Sequence, residues 1–268
     1  MQKPTLDGRV VLITGASAGI GAALAEEIGR RGARPVLVAR RERELAEVAA
    51  RSGPGALPIV ADVTRRADVE RAFAEAKGRC GRVDVLVNNA GRGISRPVSQ
   101  LTDDDLDDMI LVNVKSALYG IQAALPHFEA RGSGHIVNVS SMLGRVPFAT
   151  IRSAYSAAKH ALNALTANLR MELRARAPGI HVSLVLPGVV ATDFGVNARH
   201  GGPDSRQIPG AQPVDEVAAL IADLLERPRP ELYTRPQYRD MAIAYYSAPD
   251  LDELESRPPF AAPRPAGE

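Results

Sequence analysis

Short runs of branched apolar residues recur along the chain, and they limit its possible folds more than any other feature of the sequence. Because these runs are continuously apolar and do not alternate with polar residues, they predict strands buried on both faces of a parallel sheet. The runs are Val10–Ile13, Val36–Val38, Leu57–Val60, Val83–Val87, Ile136–Val139 and Val182–Leu186. Between and after them, helical spacing occurs in Ile20–Arg31, Glu42–Ala50, Val69–Ala76, Asp104–Phe128, Ala154–Arg174 and Asp215–Leu225. This alternation predicts right-handed βαβ units and an α/β fold with a doubly wound sheet.

The chain is expected to form one domain. Its 268 residues are enough for one sizeable α/β core, and the sequence has neither an internal repeat nor an interdomain linker. We assign this domain to residues 1–246. Residues 193–213 predict a loop or lid, because Gly195–Pro213 is rich in Gly, Pro, Asn and Asp. Residues 247–268 are rich in proline and predict an extended or disordered tail.

Two residues mark the longest predicted helix. Thr102 precedes a run of aspartates, so it predicts an N-cap followed by acidic residues in the first turn. Pro126 lies late in the same helix and is expected to bend or end it.

Charge and composition exclude several classes of function. The formal net charge is +2 and the charges are scattered, so no basic stripe indicates a nucleic-acid or membrane surface. The lone Cys80 cannot form an internal disulfide, Met1–Gly8 lacks the regions of a signal peptide, and no apolar run approaches the ~18–20 residues that span a bilayer. The histidines show no metal-site spacing. We therefore expect a cytoplasmic protein without a metal, nucleic-acid or membrane partner.

A Gly-rich turn, Thr14–Gly21, connects the first strand directly to the first helix. Glycine allows a tight turn and a close backbone approach to a pyrophosphate, while the N-terminus of the helix offers free N–H groups and the positive end of its dipole. The spacing is Gly-x-x-x-Gly-x-Gly, which differs from the usual dinucleotide motif Gly-x-Gly-x-x-Gly. The turn predicts a phosphate-binding site, and a plain tight turn without a ligand is the alternative.

The end of the second strand predicts which cofactor would bind. An acidic residue in this region accepts hydrogen bonds from the adenosine 2′-OH and repels a 2′-phosphate. Here Ala39 is followed by Arg40 and Arg41, and a guanidinium suits a phosphate by charge and by geometry. Arg40 favours NADP, and the alternative is that Arg40, Arg41 and Arg43 only form the solvated start of a helix.

Tyr155 and Lys159 are four residues apart in a predicted helix and therefore share one face. A free phenol has a pKa of about 10, and a nearby ammonium favours the phenolate and lowers that pKa. The pair suits general acid–base chemistry on an alcohol or a carbonyl. Taken alone, the same pair is typical of an ordinary helix surface.

Two hydroxyls, Ser140 and Ser141, follow the strand Ile136–Val139, and the carboxyl ends of such strands are where open α/β sheets bind ligands. At this point the sequence strongly resembles the short-chain dehydrogenase/reductase family, of the Gly-x-x-x-Gly-x-Gly and Tyr-x-x-x-Lys type. The matching motifs occur in the family's order between Arg9 and about Thr192. They are Thr14–Gly21, Asp62-Val63, Asn88-Asn89-Ala90-Gly91, Asn113, Ser140-Ser141, Tyr155 to Lys159, and Pro187-Gly188 through Thr192.

The resemblance implies a role for each matching residue. Tyr155 would exchange a proton with the substrate oxygen, Ser141 would hold that oxygen, and Lys159 would lower the pKa of Tyr155 and bind the nicotinamide ribose. Asn113 would anchor a water in the proton relay. Cofactor contacts are implied for Gly15, Ser17, Gly19, Ile20, Gly21, Arg40, Asp62, Val63, Asn89, Gly91, Tyr155, Lys159, Pro187, Gly188, Val190 and Thr192.

The sequence departs from the family's pattern at several positions. Ser141 and Tyr155 are 14 positions apart, one more than in many relatives, so Ser140 remains a rival for the role of Ser141. Ala18 stands where many NADP-using relatives carry a basic residue, so the expected preference for NADP(H) over NAD(H) rests mainly on Arg40. Glu231–Pro236 replaces the Asp-Gly-Gly turn that is common near the end of the family's chains.

The resemblance implies a Rossmann-like single domain of about seven parallel strands with helices on both faces. Its expected activity is that of an NADPH-dependent oxidoreductase that interconverts a carbonyl and an alcohol. An NADPH-binding sensor or scaffold without turnover is one alternative, and an epimerase or dehydratase with transient hydride transfer is another. The helices around Asn113 and Tyr155 are the family's usual dimer interface and imply a homodimer or homotetramer. An apolar substrate is expected from the loop Phe194–Gln212 and from Met142, Leu143, Val146, Phe148 and Ile151.

Overall fold

The computed structural model describes residues 5–261. A single sheet of 7 parallel strands runs through it in the order β3-β2-β1-β4-β5-β6-β7. The strands are β1 (Val10–Thr14), β2 (Arg34–Ala39), β3 (Leu57–Val60), β4 (Val85–Asn88), β5 (Gly134–Val139), β6 (Ile180–Leu186) and β7 (Glu231–Tyr233). The doubly wound, Rossmann-like fold expected from the sequence is confirmed.

Helices connect the strands and cover both faces of the sheet. They are α1 (Gly19–Arg30), α2 (Glu42–Arg51), α3 (Arg66–Cys80), α4 (Asp103–Ile110), α5 (Ser116–Arg131), α6 (Ser153–Arg176), α7 (Val214–Glu226), α8 (Pro236–Tyr246) and α9 (Leu251–Glu255). None of the helices in the described part of the chain combines the length and the apolar character needed to cross a membrane.

The alternating side chains of β1 show how the two faces are filled. Val11 and Ile13 pack into one apolar cluster with the buried residues of α1, α2 and α7. Val10 and Leu12 point to the opposite face and pack with residues of α3, α5 and α6. Because both faces are apolar, the strands read as continuous hydrophobic runs.

The seventh strand, β7, was not assigned to a particular segment by the apolar pattern. It has only 3 residues, Glu231–Tyr233, of which Leu232 alone is buried. Its backbone pairs with Leu184–Leu186 of β6. A strand this short carries too few apolar residues for a periodic signal, so its pairing becomes visible only in the structure.

The long helix predicted over Asp104–Phe128 is divided by a π-helical segment at Leu111–Lys115. The predicted N-cap is confirmed, because Thr102 forms a capping box with Asp105. Pro126 does not end the helix, which continues to Arg131. The physical reason is the buried face of α5, where Phe128 lies fully inside the core beyond the proline.

The prolines after residue 246 do not leave an extended chain throughout. Asp250 caps the short helix α9, and the ring of Phe260 stacks on Tyr245 with centroids 5.5 Å apart. Tyr245 and Phe260 belong to an apolar cluster with Met142 and Val146, which follow β5. The expectation of an extended or disordered tail is therefore wrong over Leu251–Glu255, and residues 262–268 lie outside the described part of the chain.

Phe128 provides a test of the packing between α5 and the sheet. Its side chain is 0% exposed and lies directly against Gly134 of β5. Phe128→Ala should lower the free energy of unfolding by about 3–5 kcal/mol, because it leaves a cavity that the sheet cannot fill. Urea titration would measure this change, with Val98→Ala, at a site that is 74% exposed, as a control expected to change by less than about 0.5 kcal/mol. A Phe128→Ala loss as small as the control's would contradict the assignment of this residue to the core.

Candidate active site

The candidate functional residues gather at one edge of the sheet. In a parallel sheet all carboxyl ends lie on the same side, and ligands bind where the strand order reverses direction. This switch point lies between β1 and β4, which are neighbours although β2 and β3 come between them in sequence. The Gly-rich turn follows β1, Asn89 follows β4, Ser140 and Ser141 follow β5, and Pro187 follows β6.

The Gly-rich turn packs so closely that its glycines cannot carry side chains. Gly15 has a φ of +68°, and a Cβ there would lie 2.8 Å from Cα of Ala90. A Cβ on Gly21 would lie 2.6 Å from Nδ2 of Asn89. No side chain caps the N-terminus of α1, so the N–H groups of its first turn have no side-chain acceptor. Close backbone approach and an uncapped helix N-terminus fit an anionic group such as a pyrophosphate.

Two arginines and an aspartate lie beside this turn at the ends of β2 and β3. Arg40 is 68% exposed at its side chain and its Nη1 lies 3.9 Å from Oδ2 of Asp62. Arg41 turns the other way and donates from Nε and Nη2 to the hydroxyl of Ser17, at 3.2 and 2.9 Å. The structure thus brings Arg40 near Asp62 and Val63, and it links Arg41 to the Gly-rich turn. The sequence argument had assigned the cofactor contact to Arg40 alone.

The segment after β4 is hydrogen-bonded to the end of β1. The hydroxyl of Thr14 accepts from the backbone N–H groups of Asn89 and Ala90, at 3.0 and 3.1 Å. The side chain of Asn89 donates to the carbonyl of Thr14 at 2.9 Å. These bonds hold the two strand ends together and place Asn89 and Gly91 next to the Gly-rich turn.

Tyr155 and Lys159 lie on the same buried face of α6. Tyr155 is 6% exposed and Lys159 is 3% exposed. The ammonium of Lys159 lies 5.6 Å from the centroid of the Tyr155 ring and donates to the carbonyl of Val139, at the end of β5, at 2.9 Å. The pair is therefore part of the interior rather than an ordinary helix surface.

Ser141 lies beside Tyr155, whereas the hydroxyl of Ser140 is used by the backbone of Lys159 and by Asn163. The hydroxyl of Ser141 accepts from the N–H of Leu143 at 3.1 Å and lies close enough to Tyr155 to lower the pKa of its phenol. The hydroxyl of Ser140 donates to Oδ1 of Asn163 at 2.5 Å, one helical turn beyond Lys159 on the same face of α6. Of the two serines that the sequence left open, the geometry favours Ser141 as the partner of Tyr155.

Burial dominates the protonation of this site. It raises the pKa of Tyr155 to about 12, although the hydrogen bond with Ser141 and the charge of Arg152 act in the opposite direction. Burial also lowers the pKa of Lys159 to about 7. The sequence argument expected the ammonium of Lys159 to lower the pKa of the phenol. In the structure the cation that lowers the pKa of Tyr155 is Arg152, and this effect is smaller than the increase caused by burial.

Asn113 lies in the π-helical segment and is 1% exposed. Its side chain accepts from the N–H of Arg92 at 3.2 Å and donates to the carbonyls of Arg92 and Met109, at 3.0 and 3.1 Å. A Cβ on Gly91 would lie 2.8 Å from Oδ1 of Asn113 and 3.5 Å from Nζ of Lys159. The structure thus brings Asn113, Gly91 and Lys159 together, but both amide donors of Asn113 are already used by backbone groups.

The residues after β6 approach the site from the opposite side. A Cβ on Gly19 would lie 3.5 Å from Cγ2 of Thr192, so the segment from Pro187 through Val190 to Thr192 meets the start of α1, where Gly19 is followed by Ile20. The hydroxyl of Tyr238 from α8 lies directly against Gly188. No sequence pattern predicts Tyr238 at this place, because α8 lies outside the motifs of the resemblance.

The loop 193–213 covers the catalytic tyrosine candidate. The ring of Phe194 packs edge-on against Tyr155 with centroids 5.4 Å apart. The loop is held through Asp105, which is 0% exposed and lies 2.5 Å from Nε of Arg199 and 2.8 Å from Nε2 of His200. Arg96, in the segment after β4, also pairs with Asp105 at 2.9 Å. Burial opposes ionisation of Asp105, but the hydrogen bonds from His200 and Arg199 hold its pKa below the usual range.

The apolar residues expected to line a pocket are divided between two places. Leu143 packs in the cluster that contains Tyr155 and Phe194. Met142, Val146 and Phe148 pack instead with the aromatic residues of α8 and the chain end. Ile151 is 42% exposed.

Sequence reasoning also missed Arg152, whose charge acts on Tyr155. The signal was available in the sequence, because Arg152 precedes Tyr155 by three residues and such a pair faces one side of a helix.

Comparisons with known proteins agree with this geometry. The short chain dehydrogenase family model matches residues 9–202. An uncharacterized oxidoreductase of Staphylococcus epidermidis (strain ATCC 12228 / FDA PCI 1200) is 37% identical over 193 residues, which cover 70% of this chain and 83% of that protein. Another, from Staphylococcus aureus (strain MW2), is 32% identical over 224 residues, which cover 82% of this chain and 93% of that protein.

Solved structures extend the likeness to nearly the whole chain. A short chain dehydrogenase/reductase from Burkholderia phymatum in complex with NAD has a TM-score of 0.84 at 26% identity, over 98% of this chain and 99% of that chain. A short chain dehydrogenase from Burkholderia cenocepacia J2315 in complex with NADP has a TM-score of 0.79 at 28% identity, over 97% of this chain and 100% of that chain. With the family match over residues 9–202, these findings establish that the chain is an oxidoreductase of the short-chain dehydrogenase/reductase family.

Proposed function

We propose that this protein is an NADPH-dependent oxidoreductase that interconverts a carbonyl and an alcohol. The observation that carries the proposal is the buried group formed by Tyr155, Ser141 and Lys159 at the sheet's switch point, next to the Gly-rich turn. Such an arrangement supplies a proton donor beside a site that fits a dinucleotide.

A nicotinamide cofactor supplies or accepts the hydride when it is bound. The residues proposed to hold its pyrophosphate are Gly15, Ser17, Gly19, Ile20 and Gly21, and those proposed for the adenosine end are Arg40, Asp62 and Val63. Asn89, Gly91 and Lys159 would contact the nicotinamide ribose. The segment of Pro187, Gly188, Val190 and Thr192 would hold the nicotinamide end. The proposal is supported by the contact between Thr192 and Gly19 and by neighbours that bind NAD or NADP.

Tyr155 is proposed to donate the proton in the reductive direction. With a pKa of about 12 in the buried site, its hydroxyl carries the proton throughout the neutral range. Ser141 would hold the substrate oxygen and orient it toward the phenol. The charge of Lys159 would stabilise the phenolate that remains after the proton has left, and Asn113 would anchor a water in the path that returns a proton to Tyr155.

Removal of the phenol tests the role of Tyr155. Tyr155→Phe should lower the rate of carbonyl-dependent NADPH oxidation by about 100-fold or more, because it deletes the general acid. The loss of NADPH absorbance at saturating carbonyl would measure the rate. Tyr119→Phe, which changes a tyrosine of α5, serves as the matched control and should keep the rate. NADPH binding, followed by its fluorescence, should persist in both variants, and an active Tyr155→Phe protein would contradict the proposal.

The raised pKa of Tyr155 also predicts how the two directions depend on pH. The phenol stays protonated between about pH 6 and 8, so any fall in the reduction rate over this range should follow the loss of the Lys159 charge near its pKa of about 7. Oxidation of the alcohol needs the phenolate, so its rate should rise with pH toward the pKa of about 12. Initial rates with NADPH and with NADP, over a range in which the protein stays folded, would test this. An oxidation rate that falls as the pH rises would contradict the assignment.

Preference for NADPH over NADH is proposed to depend on Arg40, which is exposed and faces Asp62 at the adenosine end. Arg40→Ala should reduce the ratio of kcat/KM for NADPH to that for NADH by roughly tenfold, because a charged hydrogen bond to the 2′-phosphate is lost. Arg43→Ala is the matched control, since Arg43 is 84% exposed and lies near Glu47 on α2. An unchanged ratio in Arg40→Ala would reject this role and leave Arg41 to be tested.

The two alternative functions give different results in the same assay. An NADPH-binding sensor or scaffold would bind NADPH but turn over no carbonyl. An epimerase or dehydratase would convert its substrate without net oxidation of NADPH. The burial of Tyr155 next to Ser141 favours the oxidoreductase over the sensor, because a binding protein does not require a proton donor at this place.

The remaining parts of the proposal concern the setting of the reaction. The substrate is proposed to be a small carbonyl or alcohol compound with an apolar body, which would contact Leu143 and Phe194 beside Tyr155. The protein is proposed to act in the cytoplasm as a homodimer or homotetramer. Exposed apolar side chains at Leu106 of α4 and at Leu165 and Met171 of α6 favour contact between copies through these helices.

A further inference from the structure

Arg152 carries a partly buried guanidinium close to Tyr155. It immediately precedes α6, and its Nη1 donates to the carbonyl of Ile94 at 3.1 Å. A guanidinium has five N–H donors arranged in a planar fork. Within residues 5–261, the carbonyl of Ile94 is the one acceptor that receives a hydrogen bond from them. Most of the donors of Arg152 are therefore left for a group from outside.

The other arginines that meet at the loop 193–213 have acidic partners. Arg96 pairs with Asp105, Arg199 pairs with Asp105, and Arg92 pairs with Asp108. Around Arg152, no carboxylate of the described residues lies within 4.0 Å, and the single ionisable group that acts on it is Tyr155. Arg152 thus differs from its neighbours in having no counter-charge.

The surroundings of Arg152 are shaped around the guanidinium. A Cβ on Gly93 would lie 3.0 Å from Nη1, and a Cβ on Gly202 would lie 3.0 Å from Nη2. The same Cβ on Gly202 would lie 2.7 Å from the hydroxyl oxygen of Ser95, which is buried and has no hydrogen-bond partner within the described residues. A second unsatisfied polar group therefore lies in the immediate surroundings of the arginine, where buried polar groups normally have partners.

Phe194 connects this place to the catalytic centre. Its ring lies 5.4 Å from the ring of Tyr155, and its Cε1 would lie 2.9 Å from a Cβ on Gly93. A molecule that enters beneath Phe194 to reach Tyr155 would therefore meet the guanidinium of Arg152 as well.

We propose that Arg152 binds a carboxylate of the substrate, so that the enzyme prefers oxo acids and hydroxy acids to neutral ketones, aldehydes and alcohols. The inference rests on the proposed oxidoreductase function and names the substrate class of the same site. The carboxylate would accept a bidentate pair of hydrogen bonds from the guanidinium, which is the geometry that arginine favours. The hydroxyl of Ser95 would donate to the same group, and the apolar body of the substrate would contact Leu143 and Phe194.

The electrostatics of the site agree with this assignment. Burial lowers the pKa of Arg152, while the nearby Tyr155 acts in the opposite direction. A buried charge without a partner is costly, and a bound anion reduces that cost. The carboxylate keeps its charge throughout the reaction, since only the carbonyl carbon is reduced by hydride and only the carbonyl oxygen receives the proton. Arg152 therefore selects the substrate rather than exchanging a proton.

Matched acids and esters test the proposal. Linear 2-oxo, 3-oxo and 4-oxo acids and their methyl esters would be assayed with NADPH and the full-length protein. The wild type should have a higher kcat/KM for an acid than for its ester. In Arg152→Gln the ratio of acid to ester should fall by roughly 10- to 100-fold, the range for hydrogen bonds to charged groups, while any loss that acid and ester share reports the effect of the Arg152 charge on Tyr155. Arg152→Lys should lie between the two, because it keeps the charge and loses the fork.

A matched control separates this role from a purely structural one. Arg174→Gln makes the same change of charge on the exposed surface of α6 and should leave the acid-to-ester ratio unchanged. If Arg152 only held the carbonyl of Ile94, its loss would lower the rates for acids and esters equally. Equal losses, or a wild type that prefers the esters, would overturn the proposal while leaving the oxidoreductase function intact.

If no carbonyl is turned over, the binding of a carboxylate to the NADPH complex tests the role of Arg152. In that case the proposed function fails, and NADPH fluorescence would be titrated with hexanoate and with hexanamide. Hexanoate should bind the wild type more tightly than hexanamide does, and Arg152→Gln should raise the Kd for hexanoate by about tenfold or more. Equal binding of hexanoate to the wild type and to Arg152→Gln would overturn the inference. Thermal unfolding of each variant would verify that it is folded, and Arg152→Lys would replace Arg152→Gln if the latter were not.

Discussion

The burial of the parallel sheet on both faces is the constraint on which the rest of this molecule depends. Side chains of β1 alternate between two apolar clusters, so both faces of the sheet are filled mainly by apolar side chains. The polar side chains of the candidate site lie instead where the strands end. Since all strands run in the same direction, their carboxyl ends form one edge, and the turns after β1, β4, β5 and β6 bring their hydroxyls, amides and glycines together there. The same constraint that stabilises the core thus determines where the site lies.

The features that follow from this constraint were visible in the sequence, and those that depend on a few local contacts were not. The buried strands form a recurring apolar pattern, and the Gly-rich turn and the pair of Tyr155 and Lys159 were recognised because they stand in the order of a known family. The π-helical segment at Leu111–Lys115 adds too little to a helical pattern to be seen by periodicity. The helix α9 and the stacking of Phe260 on Tyr245 depend on tertiary packing that overrides the local preference of a proline-rich segment. The spacing of Arg152 from Tyr155 was visible in the sequence, but its lack of an acidic partner became visible only in the structure.

The protonation of the site shows why spacing alone does not determine chemistry. Spacing correctly placed Tyr155 and Lys159 on one helix face, and from this the sequence argument inferred a lowered pKa for the phenol. Both groups are nearly inaccessible to water, however, and burial disfavours the charged form of each. Burial thereby keeps the phenol of Tyr155 protonated and lowers the pKa of the Lys159 ammonium. The raised pKa of Tyr155 supports proton donation by its phenol. Formation of the phenolate is favoured by positive charge near Tyr155.

The distribution of acidic residues around the loop 193–213 explains why Arg152, a second cation close to Tyr155, has no acidic partner. Asp105 is shared by Arg96, Arg199 and His200, and Asp108 is shared by Arg92 and Arg199. These ion pairs hold the loop against α4 and the segment after β4. Both carboxylates are thereby paired with arginines other than Arg152. Arg152 lies beyond them, next to Tyr155, with its charge unbalanced by any acid of the described residues within 4.0 Å. The proposed carboxylate of the substrate would restore this balance, and the same contact would orient the reacting carbonyl of an oxo acid toward the phenol.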